Sequence, residues 1–145
     1  MGWTELNTST HQDHVIKHVI GATVFGWFIA GEAAHLLLDI GFPWTIYLDG
    51  EMNLLPQGVA IPELEADDLN SAGRTELAFE AQILLAEGHK AEGLKRFTPL
   101  SIDCLITAVE FLHSNSRRRI AIIGENGVIH VETAIETGEV TVSTL

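Results

Sequence analysis

Apolar residues near the start of the chain recur at helical spacing. The rhythm begins after Thr8, Ser9 and Thr10, which are good helix caps, and ends at Gly41 and Pro43, so it predicts a helix of about thirty residues. In WTIYLDGEMNLL, β-branched and aromatic residues then flank Asp49-Gly50, a dipeptide suited to a two-residue turn. This predicts a hairpin from Trp44 to Leu55. Arg74 to Glu87 returns to helical spacing, with Leu77, Ala81, Leu84 and Leu85 on one side and Gly88 as the stop. Thr98-Pro99 reads as a cap followed by a proline at the first helical position. Asp103, Thr107, Glu110 and Ser114 form a polar stripe behind it, predicting a further helix from Pro99 to Ser114. Finally, RRIAIIGENGVIHVETAI is centred on Asn126-Gly127, a strong hairpin signal, and GEVTVSTL from Gly138 adds a third strand.

Segregation of helices from strands points to α+β rather than βαβ architecture. The expected fold is a single α+β domain spanning residues 1–145. It comprises a long N-terminal helix, a β-hairpin, two further helices, and a C-terminal three-stranded antiparallel meander packed on the helices.

The first helix carries most of the functional signal. Its longest run without charge or imidazole, Val19 to Gly31, is 13 residues, short of the roughly 20 that a membrane span needs. At helical spacing, His14, His18, Gly21, Phe25, Phe28, Glu32, His35 and Asp39 form a seam, beside a row of small residues, Ala22, Gly26, Ala30 and Ala34. The chain's own elements or a second copy could cover that seam. In an antiparallel pair of copies, Phe25 meets Phe28, His18 meets His35 and His14 meets Asp39, a self-complementary register.

Glu32-Ala-Ala-His35 has the Glu-x-x-His spacing of carboxylate-bridged metal bundles, and Asp39 adds an oxygen donor one turn on. Gly31 stands where a zinc-protease signature needs its first histidine. His14 and His18, at i and i+4, are a second pair able to share a metal. The candidate ligands for a divalent metal are thus Glu32, His35, Asp39, His14 and His18, with the two groups united only by an antiparallel neighbour. Asp68 to Gly73 begins like a calcium loop but has Ala72 and Phe79 where further ligands belong.

Charge narrows the partners. With 20 acidic and 8 basic side chains the formal charge is −12, which opposes binding to nucleic acid or an anionic membrane. Arg117, Arg118 and Arg119 concentrate positive charge, read as complementing a helix end. His130 and Glu132 share a strand face as a cross-strand polar pair. A single cysteine, Cys104, set among apolar neighbours, reads as a small hydrophobe in a cytoplasmic protein. The leading expectation is a non-catalytic interaction or structural homodimer. The alternative is a metal-binding or acid/base enzyme acting on a small molecule, with its Glu/His/Asp site on the N-terminal helix and Trp27, Trp44 or Tyr47 in a pocket wall.

Overall fold

The computed structural model describes residues 2–8, 10–31, 33–39, 43–46, 69–134 and 136–144, and strands dominate it. The elements in chain order are β1 (Thr4–Glu5), α1 (Thr10–Val19), β2 (Thr23–Ala30), β3 (Ala33–Leu38), β4 (Pro43–Ile46), α2 (Ser71–Glu87), a 3-10 turn (Gly88–Lys90), β5 (Thr98–Ser114), β6 (Arg117–Gly124), β7 (Val128–Ala134) and β8 (Val140–Thr144). All pairings are antiparallel in one eight-stranded sheet of order β4-β3-β2-β5-β6-β7-β8, with β1 added to β5.

This overturns the expected α+β arrangement at two places. The long N-terminal helix stops at Val19, and Pro99 to Ser114 lies in strand β5. The end of α1 is set by Gly21, whose φ of +88° suits glycine, and which turns the chain so that its N–H reaches the Ile106 carbonyl at 2.9 Å. Beyond this turn the chain forms a β2–β3 hairpin, turned at Gly31 (φ +62°) and closed by the Ala30–Ala33 pair. Trp44 lies in strand β4, which pairs back on β3; the remainder of the hairpin expected there lies outside the described residues. Helix α2 extends the expected Arg74–Glu87 segment by one turn, because Asn70 Oδ1 accepts the Gly73 N–H at 2.8 Å as an N-cap.

Strand β5 joins two half-sheets. Its first part pairs with β2, and from Ile106 onward it pairs with β6. The half-sheets enclose one core, in which Leu36, Leu38 and Trp44 meet Phe111, Ile120 and Ile122, with Val15 and Val19 of α1 packed against them. A second core lies on the opposite face of β2–β3, where Phe28, Ala30 and Leu37 meet Leu77, Ala81 and Leu84 of α2. Strand β3 is therefore buried on both faces along its whole length. The row of small residues has an intramolecular purpose: at Gly26, an added Cβ would lie 2.8 Å from the Thr98 carbonyl oxygen and 3.2 Å from a Leu84 methyl. The middle of the seam, at Phe28 and His35, is covered by the chain itself, and beyond Val19 the antiparallel helix pairing has no helix to act through.

The last three strands form a meander continuous with β5. The hairpin between β6 and β7 lies where Asn126-Gly127 predicts it, but neither residue takes a positive φ. The turn instead closes with the Gly124 N–H on the Gly127 carbonyl at 2.9 Å.

Candidate functional site

Four of the five candidate metal ligands, His14, His18, His35 and Asp39, are among the described residues, and they do not share one element. His35 is buried in β3, stacked on Phe28 with ring centroids 4.6 Å apart. Its Nε2 lies 3.0 Å from the Ala30 carbonyl oxygen and its Nδ1 lies 2.9 Å from the Thr45 hydroxyl. Because a carbonyl can only accept, Nε2 carries the proton and Thr45 donates to Nδ1. Both ring nitrogens are engaged within the protein. Asp39 accepts the Thr23 N–H at 3.2 Å, tying the start of β2 to the end of β3. Glu32 lies outside the described residues. Of the described candidates, only His14 and His18, on α1, are brought together, with ring centroids 4.8 Å apart. Among the described residues, no group of three or more His, Cys, Asp or Glu side chains is placed to hold a metal ion. The Glu-x-x-His spacing brings its two groups to one face on a helix, whereas His35 lies in strand β3. Trp44 belongs to the first core and Trp27 packs against it; Tyr47 lies outside the described residues.

The β5 strand holds a feature that sequence reasoning missed. Val24 pairs with Cys104 and Gly26 with Pro99, so Phe25 alone faces the four residues from Leu100 to Asp103. This wide bulge is pinned by Asp103, whose Oδ1 accepts the His89 N–H at 2.8 Å and whose Oδ2 lies 3.3 Å from His89 Nδ1. Bulges re-aim side chains, and here Ile102 is left 54% exposed at the mouth of a cleft. Leu100, Cys104 and Ile129 line the cleft, with Asn126 and Thr144 also in its wall. Its volume is about 220 Å³, below the range of roughly 300–1,000 Å³ typical of small-molecule sites. It suits a single apolar side chain rather than a cofactor. Burial pushes the Cys104 thiol up from its ordinary pKa, so the thiolate a nucleophile needs is disfavoured.

The third feature is on the outer face of the β5–β8 half-sheet. Alternation sets Leu112, Arg119, Glu132 and Thr141 in one cross-strand row and Glu110, Ala121, His130 and Ser143 in the next. Glu132 accepts from Arg117 Nη2 at 2.9 Å on one oxygen, and from Arg119 Nη2 at 2.8 Å and Nε at 3.0 Å on the other. Trp3 covers the Arg119 guanidinium at 4.0 Å. Arg117 and Arg119 of the expected helix end therefore form a sheet-face network on Glu132, while Arg118 donates to the Asn115 and Arg117 carbonyls. Burial alone would raise the Glu132 carboxyl, but its bonds to Arg117 and Arg119 outweigh that and hold its pKa below the usual value. Burial, and then Arg119, hold the His130 imidazole below its usual value, against the opposing pull of Glu132.

The network has a testable sign. A carboxyl whose folded pKa is lowered contributes stability above its unfolded pKa and loses it as pH falls through the folded one. Glu132→Gln is expected to cost about 1–2 kcal/mol near neutral pH. The gap from the parent protein should close in acid, as pH drops below the ordinary carboxylate range. Urea titrations of both proteins across that range would check this. A pH-independent gap would mean that the glutamate acts by shape alone.

Strand β8 closes the sheet at its far side. Val140 and Val142 pack towards the first core while Thr141, Ser143 and Thr144 are exposed. The strand pairs with β7 on one side, and among the described residues no strand pairs with the other. Comparison with protein-family models, with curated proteins and with solved structures gives no match. Among the described residues, no helix is long and apolar enough to cross a membrane.

Proposed function

We propose that this chain is a non-catalytic interaction protein that works as a homodimer joined along β8. The carrying observation is the outer edge of β8, with which no strand pairs among the described residues. Proteins blunt exposed edges with charge, proline or bulges. At the opposite end of the sheet β4 opens with Pro43, which cannot donate to a ladder. By contrast, β8 reads Val-Thr-Val-Ser-Thr, with no charge and no proline, and its pairing with β7 runs without a register shift.

The segment is also self-complementary. Antiparallel pairing of two copies about Val142 sets Val142 opposite its twin, Val140 opposite Thr144, and Thr141 opposite Ser143. Hydroxyls then meet on the outer face and β-branched groups on the inner one, as a twofold interface demands. The Glu132 row of one subunit continues through Thr141 and Ser143 into the His130 row of the other.

The test exploits that register. Thr141→Lys with Ser143→Lys places like charges opposite each other twice; at about 0.7 kcal/mol per contact the dimer should weaken about tenfold. Thr141→Lys with Ser143→Asp places opposite charges at the same two contacts and should restore it. Native mass spectrometry with sedimentation equilibrium reads both. A monomeric parent protein, or two variants that dimerise alike, overturns the proposal. Because each copy carries a formal charge of −12, added salt should tighten the dimer by screening repulsion.

A further inference from the structure

We infer that His14 and His18 form a two-imidazole site for a first-row divalent ion on the exposed face of α1. The site is independent of the β8 interface. The helix that carries it has a fixed orientation: Val15 and Val19 are buried in the first core, while His14 and His18 are exposed. Side chains at i and i+4 lie one above the other on the same face, and the two rings meet edge to face at 4.8 Å between centroids with a 65° interplanar angle.

A hydrogen bond sets the tautomer of one ring. His18 Nδ1 lies 2.9 Å from the His14 backbone carbonyl oxygen. That oxygen is an acceptor, so Nδ1 carries the proton and Nε2 keeps its lone pair. This is the arrangement in which a metal-binding histidine is held, one ring nitrogen donating to a carbonyl while the other faces the ion. With bonds of about 2.0–2.1 Å, two nitrogens on a tetrahedral ion sit roughly 3.3 Å apart, within reach of rings at the observed separation.

Two other histidines are committed differently. His35 has both nitrogens engaged inside the protein, and His89 Nδ1 faces Asp103. No third His, Cys, Asp or Glu joins the pair among the described residues, so water or a donor from another molecule would complete the coordination shell. Imidazole donors suit zinc, copper and nickel rather than calcium or magnesium. The acidic chain raises the local concentration of any such cation.

Isothermal calorimetry with zinc chloride on the untagged protein tests the site. The expected result is one zinc per chain, with affinity falling about tenfold or more in either His14→Ala or His18→Ala, because a single imidazole cannot chelate. The ion also ties two turns of α1 together, so zinc should raise the melting temperature of the parent protein and not of either variant. Both residues are exposed, so the variants fold. Zinc uptake by the double variant equal to that of the parent, or no uptake by the parent, overturns the inference.

Discussion

Replacing Glu80 by alanine is expected to cost about 3 kcal/mol of folding stability and to lower the melting temperature by about 10 °C. Glu80 is a buried carboxylate on the apolar face of α2, beside Leu77, Ala81 and Leu84. Its oxygens accept the backbone N–H groups of Lys95 at 3.1 Å, Arg96 at 3.0 Å and Phe97 at 3.0 Å. Bonds to an ionised acceptor are the stronger kind. Lys95 and Arg96 are exposed, so water can replace the carboxylate there; Phe97 is buried, and its amide would be left without a partner. That asymmetry sets the size of the loss.

The clamp also matters for what it positions. It holds the segment that delivers Phe97 to the second core and starts β5 just before its bulge. Glu80→Gln separates charge from shape: its amide keeps one accepting oxygen but turns a donor towards donors, so it should recover little. Thermal melts of both variants, with hydrogen exchange at residues 95–97, check the prediction. Full protection of those amides in Glu80→Ala would show that the clamp is dispensable.

The parts of the fold legible in the sequence are those covered on one side. Helix α2 and the strands β7 and β8 each keep a recognisable period. Strand β3 does not, because α2 covers one face and the opposite half-sheet the other. The resulting run, AAHLLL, cannot be told from a buried helix by periodicity. The better clues are chemical. Thr23 to Ala30 is rich in β-branched and aromatic residues, and Gly21 and Gly31 are each costly inside a helix.

Strand β5 is hidden for a different reason. Its wide bulge at Leu100 to Asp103 and a second irregularity beside Thr107 shift the inward positions along the strand. The buried residues Leu100, Cys104, Ile106 and Phe111 consequently fall at uneven intervals, so the alternation of a strand is lost and the polar spacing of Asp103, Thr107, Glu110 and Ser114 reads as a helical stripe. Of the candidate ligands, His14 and His18 keep their expected helical spacing because α1 spans both, whereas His35 belongs to a strand. Glu80 carries a signal in the sequence itself: a charge at i+3 from Leu77 on an apolar face, which only a partnered carboxylate can occupy.

Gly124→Ala should be at least as damaging as the loss of Glu80, at about 3–4 kcal/mol, and its cause can be isolated. A Cβ at Gly124 would strike Cys104 Sγ and lie 2.9 Å from the Leu105 carbonyl oxygen. Neither neighbour yields readily. Cys104 is packed in the first core with its thiol 4.0 Å from the Gly127 carbonyl, and Leu105 accepts the Glu125 N–H at 3.2 Å. Forcing extra volume into such a site moves the backbone. Cys104→Ala alone removes one small buried group, at a cost of about 1 kcal/mol. Combined with Gly124→Ala it deletes the sulfur that the new methyl strikes, leaving only the carbonyl contact. The double variant should then lose about 2–3 kcal/mol, below the sum of the single losses, with a coupling of roughly 2 kcal/mol. Chemical denaturation of the four proteins in this cycle measures the coupling directly. A zero value would mean that the β6–β7 turn shifts as a unit and carries Gly124 away from the thiol, so that the cleft walled by Cys104 and Asn126 would widen with it; a value near that expected places the strain on the sulfur and leaves the turn as it stands.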